Sequence, residues 1–275
     1  MQKIIAGAVM ALSFVIGSPV HAAAIRDAAS FTGNTLPAND DGSTGQVNLG
    51  FSANFFGSSF TQAYVNNNGN ITFNAALGEF TPFNLTPSSP TRIIAAFFGD
   101  VDTRGAGSGL TQYGAANLGG KAVFGVNWID VGYFSGQTNK LNSFQMILTS
   151  RADIALGDFD IEFNYDKVQW ETGGASGGNN GLGGTSAGVG FAAGNGLDAF
   201  QLAGSLLNGA LLDGGPNALI SNRLNSNVDG RYIFEVRNGT IVVPPPTTQI
   251  PVPGALPMLL SGLVLVGALS RRRKA

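Results

Sequence analysis

The chain has 275 residues, 44% of them apolar and only 12% charged, with 40 glycines, no cysteine and a single histidine. Disulfides, thiolate metal sites and Cys–His nucleophiles are excluded, and a chain of this length can bury one large core or two small ones. The formal net charge is -2, but setting aside Lys3 and the four cations Arg271–Lys274 leaves ten basic residues against all 17 acidic ones, about −7. Those ten are scattered without a basic stripe, so no nucleic acid is expected as a partner.

The N-terminus reads as a targeting segment. Lys3, the apolar run Ile4–Ile16, the break Gly17-Ser18-Pro19 and the small residues of Val20-His21-Ala22 follow in order, as in a signal peptide of residues 1–22 cleaved at Ala22, with Ala24 a second choice. Cleavage there removes His21, so Ser-His-Asp catalysis and histidine-bound zinc leave with it. An exported protein is expected.

From Ile25 to Gly50 the chain is polar, with a turn cluster at Asn39-Asp40-Asp41-Gly42. Tyr64–Phe73 reads as a hairpin, Asn68-Gly69 supplying the two positive-φ positions of a type I′ turn. Pro82, Pro87 and Pro90 mark a loop across the end of a sheet. Ile93–Phe98 is a short apolar strand that runs into Gly99-Asp100-Val101-Asp102. Alternation sets Asp100 and Asp102 on one side, roughly 6–7 Å apart along the strand. Like charges so close are comfortable only when solvated or bridged by a cation. An exposed strand end is the simpler reading. If calcium is bound, Asp100 and Asp102, or Asp40 and Asp41, are where it is expected.

Ala122–Leu148 reads as two half-buried antiparallel strands around a polar loop at 135–142. Val126, Trp128 and Val131 mark the apolar side of the first strand. On the second, Phe144, Met146 and Leu148 oppose Gln145, Ile147 and Thr149. Trp128 is expected at the centre of the core. Phe159, Ile161, Phe163 and Tyr165 alternate with Asp158, Asp160, Glu162 and Asn164, a strand with one apolar face and one solvated acidic face. Three acids on one face also satisfy the carboxylate spacing of a glycoside hydrolase, though no cleft is implied. Glu171–Ser186, rich in glycine and asparagine, reads as a flexible loop without a phosphate-binding motif. Short helices are expected at Ala203–Leu212 and Pro216–Leu224, and a second type I′ turn at Asn238-Gly239.

Several of these runs, in this order, resemble the nidogen-like (NIDO) extracellular domain: Arg92–Arg104 (RIIAAFFGDVDTR), Trp128 with Val131 and Tyr133, Asn139–Gln145 (NKLNSFQ), Asp158–Trp170 (DFDIEFNYDKVQW), Ala187–Phe191 (AGVGF) and Gly230–Val236 (GRYIFEV). The likeness is strongest over residues 85–237 and extends towards Leu36, giving a domain of residues 23–243. The resemblance implies cell–matrix adhesion.

After Val243 the character changes. Pro244–Gln249 is a stiff Pro/Thr linker. Pro251-Val252-Pro253, an apolar run to Leu269 and then Arg271, Arg272, Arg273 and Lys274 follow. Gly254–Leu269 is shorter than the ~20 residues a spanning helix prefers, yet with its flanks it could cross a thinned bilayer, basic end inside. Residues 250–275 resemble the PEP-CTERM sorting tail of Gram-negative bacteria, in the Val-Pro-x-Pro variant, with Val252 where the namesake motif has Glu. That resemblance implies an exosortase-type sorting enzyme and transient anchoring in the membrane before release to the cell surface or matrix.

The expected architecture is all-β, a twisted antiparallel β-sandwich with a few short helices, plus a helix in the signal and another in the apolar tail. The expected role is a non-catalytic surface or matrix protein whose partner is extracellular polysaccharide or a matrix protein. The alternatives are a calcium-dependent carbohydrate-binding module and a glycoside hydrolase. No cofactor is implied except calcium.

Overall fold

The computed structural model describes residues 24–242. The signal with its cleavage at Ala22, the linker 244–249 and the tail carrying Pro251, Val252, Pro253, Arg271, Arg272 and Arg273 lie outside the described residues, as do the positions of both expected terminal helices.

Among the described residues thirteen strands, all paired antiparallel, build two sheets. The first to form in chain order are β1 (Asn34–Thr35), β2 (Val47–Phe55), β3 (Ser58–Asn66), β4 (Asn70–Thr72), β5 (Ile93–Phe98) and β6 (Thr111–Leu118). There follow β7 (Lys121–Tyr133), β8 (Gln137–Ser150), β9 (Phe159–Lys167), β10 (Gly188–Ala192), β11 (Ala199–Gln201), β12 (Arg231–Arg237) and β13 (Thr240–Val242). One sheet has the order β1-β6-β7-β8-β9-β12-β13 and the other β11-β10-β5-β4-β3-β2. Their inner faces meet in one large core, as the period of two in these strands requires.

That core is aromatic. Trp128 is 0% exposed, stacks on Phe144 with ring centroids 5.1 Å apart and 13° between planes, and donates from Nε1 to the Asn67 carbonyl at 3.0 Å. Phe144 leads to Phe97 at 5.3 Å, and Phe97 meets Trp170 edge-on at 5.5 Å. The Trp170 indole in turn donates to the Val131 carbonyl at 3.1 Å. The offset of three between Trp128 and Val131 is absorbed by a bulge in which Asp130 takes φ 53°, returning Val131 to the inside.

Three features differ from the sequence expectation, two of them because outer sheet faces are covered. Residues 24–31 lie across the outside of the seven-stranded sheet, where Phe31 packs on Val123 and Ile147 and Gln145 bonds the Arg26 backbone. The supposedly outer side of β8 is therefore buried too. The proline-marked loop covers a face and not an end: Leu85, with Leu77 and Phe83, packs on Ile93, Ala95, Phe98 and Ala192. All six residues of β5 are buried as a result. The polar stretch expected as the loop 135–142 is mostly strand, since Tyr133 already faces Gln137. Its polarity reflects a hairpin that runs on past the core.

Turns and helices bring further corrections. Arg237 pairs with Thr240 across Asn238 (φ 50°) and Gly239 (φ 77°), the expected type I′ geometry. Between Asn66 and Asn70, however, the connection has three residues and only Gly69 (φ 74°) is left-handed. A Cβ on Gly69 would also overlap the Phe97 carbonyl, so both conformation and space demand glycine. Ala203–Leu212 and Pro216–Leu224 are turns and not helices: in the first, Gly204, Leu206 and Gly209 have positive φ, which no right-handed helix admits, and the second is a run of separate turns. Among the described residues the helical elements are two short 3-10 turns, Ala28–Phe31 and Gly174–Ser176. None of these is long and apolar enough to cross a membrane. Glu171–Ser186 is not a loose loop, because Glu171 and Thr172 donate to the Gly181 carbonyl and Asn179 exchanges bonds with Leu182. Its glycines let backbone segments approach closely; a Cβ on Gly184 would overlap the Ser176 carbonyl.

Candidate functional site

One end of the sandwich gathers the turn 39–42, the three-residue turn 67–69, the exit of β5 and the segment 172–174. Asn67 and Asn68 hold the first three together. The Asn67 amide nitrogen donates to the carbonyls of Asp40 at 2.6 Å and Val101 at 2.7 Å. Asn68 donates to Asp41 Oδ1 at 2.9 Å and to the Glu79 carbonyl, and its own oxygen accepts from the Val101 amide. Buried side-chain amides suit this task because each offers donors and an acceptor to backbone groups that have left the sheet ladder. Asn-rich turns looked like simple hairpin signals in the sequence; nothing in their spacing disclosed this scaffolding.

Carboxylate oxygens of Asp40, Asp41 and Asp100 converge here within 4.8 Å of one another. Asp100 is 1% exposed, and neither of its carboxylate oxygens has a hydrogen-bond partner among the described residues. Burial first, then the charges of Asp40, Asp41 and Asp102, push its pKa up to about 7. Asp40 is raised to about 6 by burial and by Asp102 and Asp41, against the pull of Arg104. Gly173 closes the pocket, since a Cβ there would overlap Asp100 Oδ2.

Asp102, the expected companion of Asp100, belongs to a different arrangement. It is fully buried and accepts from Arg104 Nε at 2.9 Å, Arg104 Nη2 at 2.6 Å and the Gly136 amide at 2.7 Å. Burial would raise its pKa, but the hydrogen bonds from Arg104 and Gly136 outweigh that and hold it below the usual carboxylate value. Of the four acids singled out in the sequence, three therefore meet and the fourth is satisfied elsewhere.

The acidic side of β9 is not solvated. Arg26, delivered by the segment that crosses the sheet, donates to both oxygens of Glu162 at 2.8 and 2.7 Å, and Arg231 approaches the same carboxylate at 3.2 Å. Asp160 is shared between Arg151 at 3.0 Å and Arg237 at 2.7 Å. Asp158 accepts from the Asn238 amide at 2.8 Å. Burial acts to raise the Glu162 pKa, and the hydrogen bonds and charge of Arg26, with Asn164 and Arg231, overcome it and leave it lowered. A glycosidase acid needs the opposite shift and an open cleft.

Beside the acidic pocket lies an open cleft of about 390 Å³, lined by Tyr133, Phe134, Ser135, Gln137, Asn179 and Asn180. Its wall is tied to the pocket: the Phe134 amide donates to the Asp100 carbonyl, and the Gly174 amide to the Phe134 carbonyl. Sequence reading missed this cleft because 134–137 and 174–180 are far apart in the chain and meet only through the sheet.

The architecture defines an antiparallel β-sandwich module with a cluster of three carboxylates on loops at one end. A family model of the nidogen-like domain (NIDO) matches residues 61–117 and 110–238, and the chain belongs to that family. Alpha-tectorin of Mus musculus and of Homo sapiens is 33% identical over 223 residues, which cover 73% of this chain and 10% of theirs. Nidogen of Drosophila melanogaster is 30% identical over 210 residues, covering 66% of this chain and 14% of its own. The chain thus spans about a tenth of the length of the alpha-tectorins it matches. No solved structure gives a significant match.

Proposed function

We propose that this protein is a non-catalytic adhesion module of the cell surface or extracellular matrix. The observation that carries the reading is membership of the nidogen-like family over residues 61–238, a resemblance that implies cell–matrix adhesion. The partner is an extracellular polysaccharide or a matrix protein, held by several loop contacts at the end of the sandwich. The cleft favours a neutral ligand: the half-buried Phe134 offers a ring, while Gln137, Asn179 and Asn180 offer amides that donate and accept. A domain charge of about −7 repels polyanions unless cations intervene.

In this reading residues 1–22 direct export and are removed at Ala22, and residues 23–243 are the binding domain. Residues 244–249 space it from the tail 250–275, which an exosortase-type enzyme processes after transient membrane anchoring. Fractionation of producing cells tests the route. The full-length chain is expected in the surface or matrix fraction, and deletion of 250–275 is expected to move it to a soluble exported fraction. Either form remaining in the cytoplasm contradicts export.

A further inference from the structure

We infer that Asp40, Asp41 and Asp100 form a binding site for one calcium ion, which fastens the 39–42 turn to the exit of β5. Two observations carry this independently of the adhesion reading. Oxygens shared by one calcium ion at about 2.3–2.6 Å lie no more than about 5 Å apart, and those of the three carboxylates fall within 4.8 Å. The most buried of the three, Asp100, offers two oxygens that nothing else engages among the described residues. A buried carboxylate without a donor is costly and calls for a compensating positive charge.

The surrounding cations do not supply it. Arg104 is half-exposed and binds Asp102 and the outer oxygen of Asp40, leaving Asp40 Oδ1 buried without a partner. The donor set is made of hard oxygens alone, which suits calcium and not zinc or copper. Asp41 is already oriented by Asn68 through one oxygen. Gly173, pressed against Asp100 Oδ2, leaves no room there for a side chain to take the place of the ion. Asp102 is not a ligand, because Arg104 and Gly136 occupy its oxygens.

The test uses the purified full-length chain, stripped with chelator and titrated with calcium while heat of binding and thermal unfolding are followed. One saturable site is expected, and about 5 mM calcium is expected to raise the unfolding midpoint by at least about 3 °C, with a smaller effect of magnesium. Asp100→Asn is expected to lose the calcium-dependent rise while unfolding, when stripped, no earlier than the parent, because an amide replaces a crowded carboxylate. A carboxylate with only a structural role would instead make that variant less stable with or without calcium. Asp41→Asn keeps the acceptor for Asn68 and serves as a second variant with the same expected loss. Asp102→Asn is expected to keep the calcium response. Absence of calcium binding by the parent, a larger response to magnesium, or a full calcium shift in both Asp100→Asn and Asp41→Asn would overturn the assignment.

Discussion

Replacing Trp128 by alanine is expected to lower the stability of the sandwich by about 4 kcal/mol, near the middle of the range for deleting a buried aromatic. The indole is fully buried and lies flat on Phe144. Its loss opens a cavity at the start of the chain of rings that runs through Phe97 to Trp170. It also strips the Asn67 carbonyl of its indole donor, and Asn67 is the residue that ties the 39–42 turn to Val101. Damage should therefore spread from the core to the acidic end. Urea unfolding checks this, with a midpoint lower by roughly 1 M or more for a slope of about 1–3 kcal/mol per M. Trp128→Phe, which keeps one stacked ring but gives up the donor and part of the buried volume, should recover about half of the difference. Equal midpoints for the parent and the alanine variant would remove Trp128 from the centre of the core.

The second large effect is expected at Glu162. It is 6% exposed and takes three charge-assisted contacts, two from Arg26 and one from Arg231. Glu162→Ala leaves these guanidinium groups facing a protein interior without an anion, at a cost of about 2–3 kcal/mol, below the usual figure for a fully buried pair because Arg26 is 33% exposed. Glu162→Gln should cost less, since it still accepts a hydrogen bond. The pH dependence has a definite sign. The folded-state pKa lies below the ordinary value of 4.5, so the contribution is complete above that value and disappears as pH falls through the lowered one. Acid unfolding should therefore be shallower in Glu162→Gln than in the parent. Identical acid limbs for the two proteins would mean that the Arg26 contact contributes nothing to folding.

The fold was legible wherever one strand face is apolar. Phe144, Met146 and Leu148, and Phe159, Ile161 and Phe163, do face the core, as their alternation requires. What the period of two cannot show is what lies on the other face. Arg26 and Phe31 cover the outside of β7–β9 from more than 90 residues away, so an acidic stripe that looked solvated is neutralised and buried. Glycine and asparagine were read as looseness and as turns. Here they permit close backbone contact in 171–186 and supply buried amides in 67–68, tasks that composition does not distinguish from flexibility. The acidic site was half legible: Asp40, Asp41 and Asp100 stand out as acids near turns, but only the tertiary path of the 39–42 segment decides that Asp100 and not Asp102 meets the other two.

The most direct test of the adhesion reading is retention of the purified full-length chain on the extracellular matrix of the cells that make it, with the eluate assayed for released sugars. The account predicts saturable retention without sugar release, weakened by Phe134→Ala in the cleft. Failure to be retained, or release of reducing sugar that Asp160→Asn or Glu162→Gln abolishes, would contradict it.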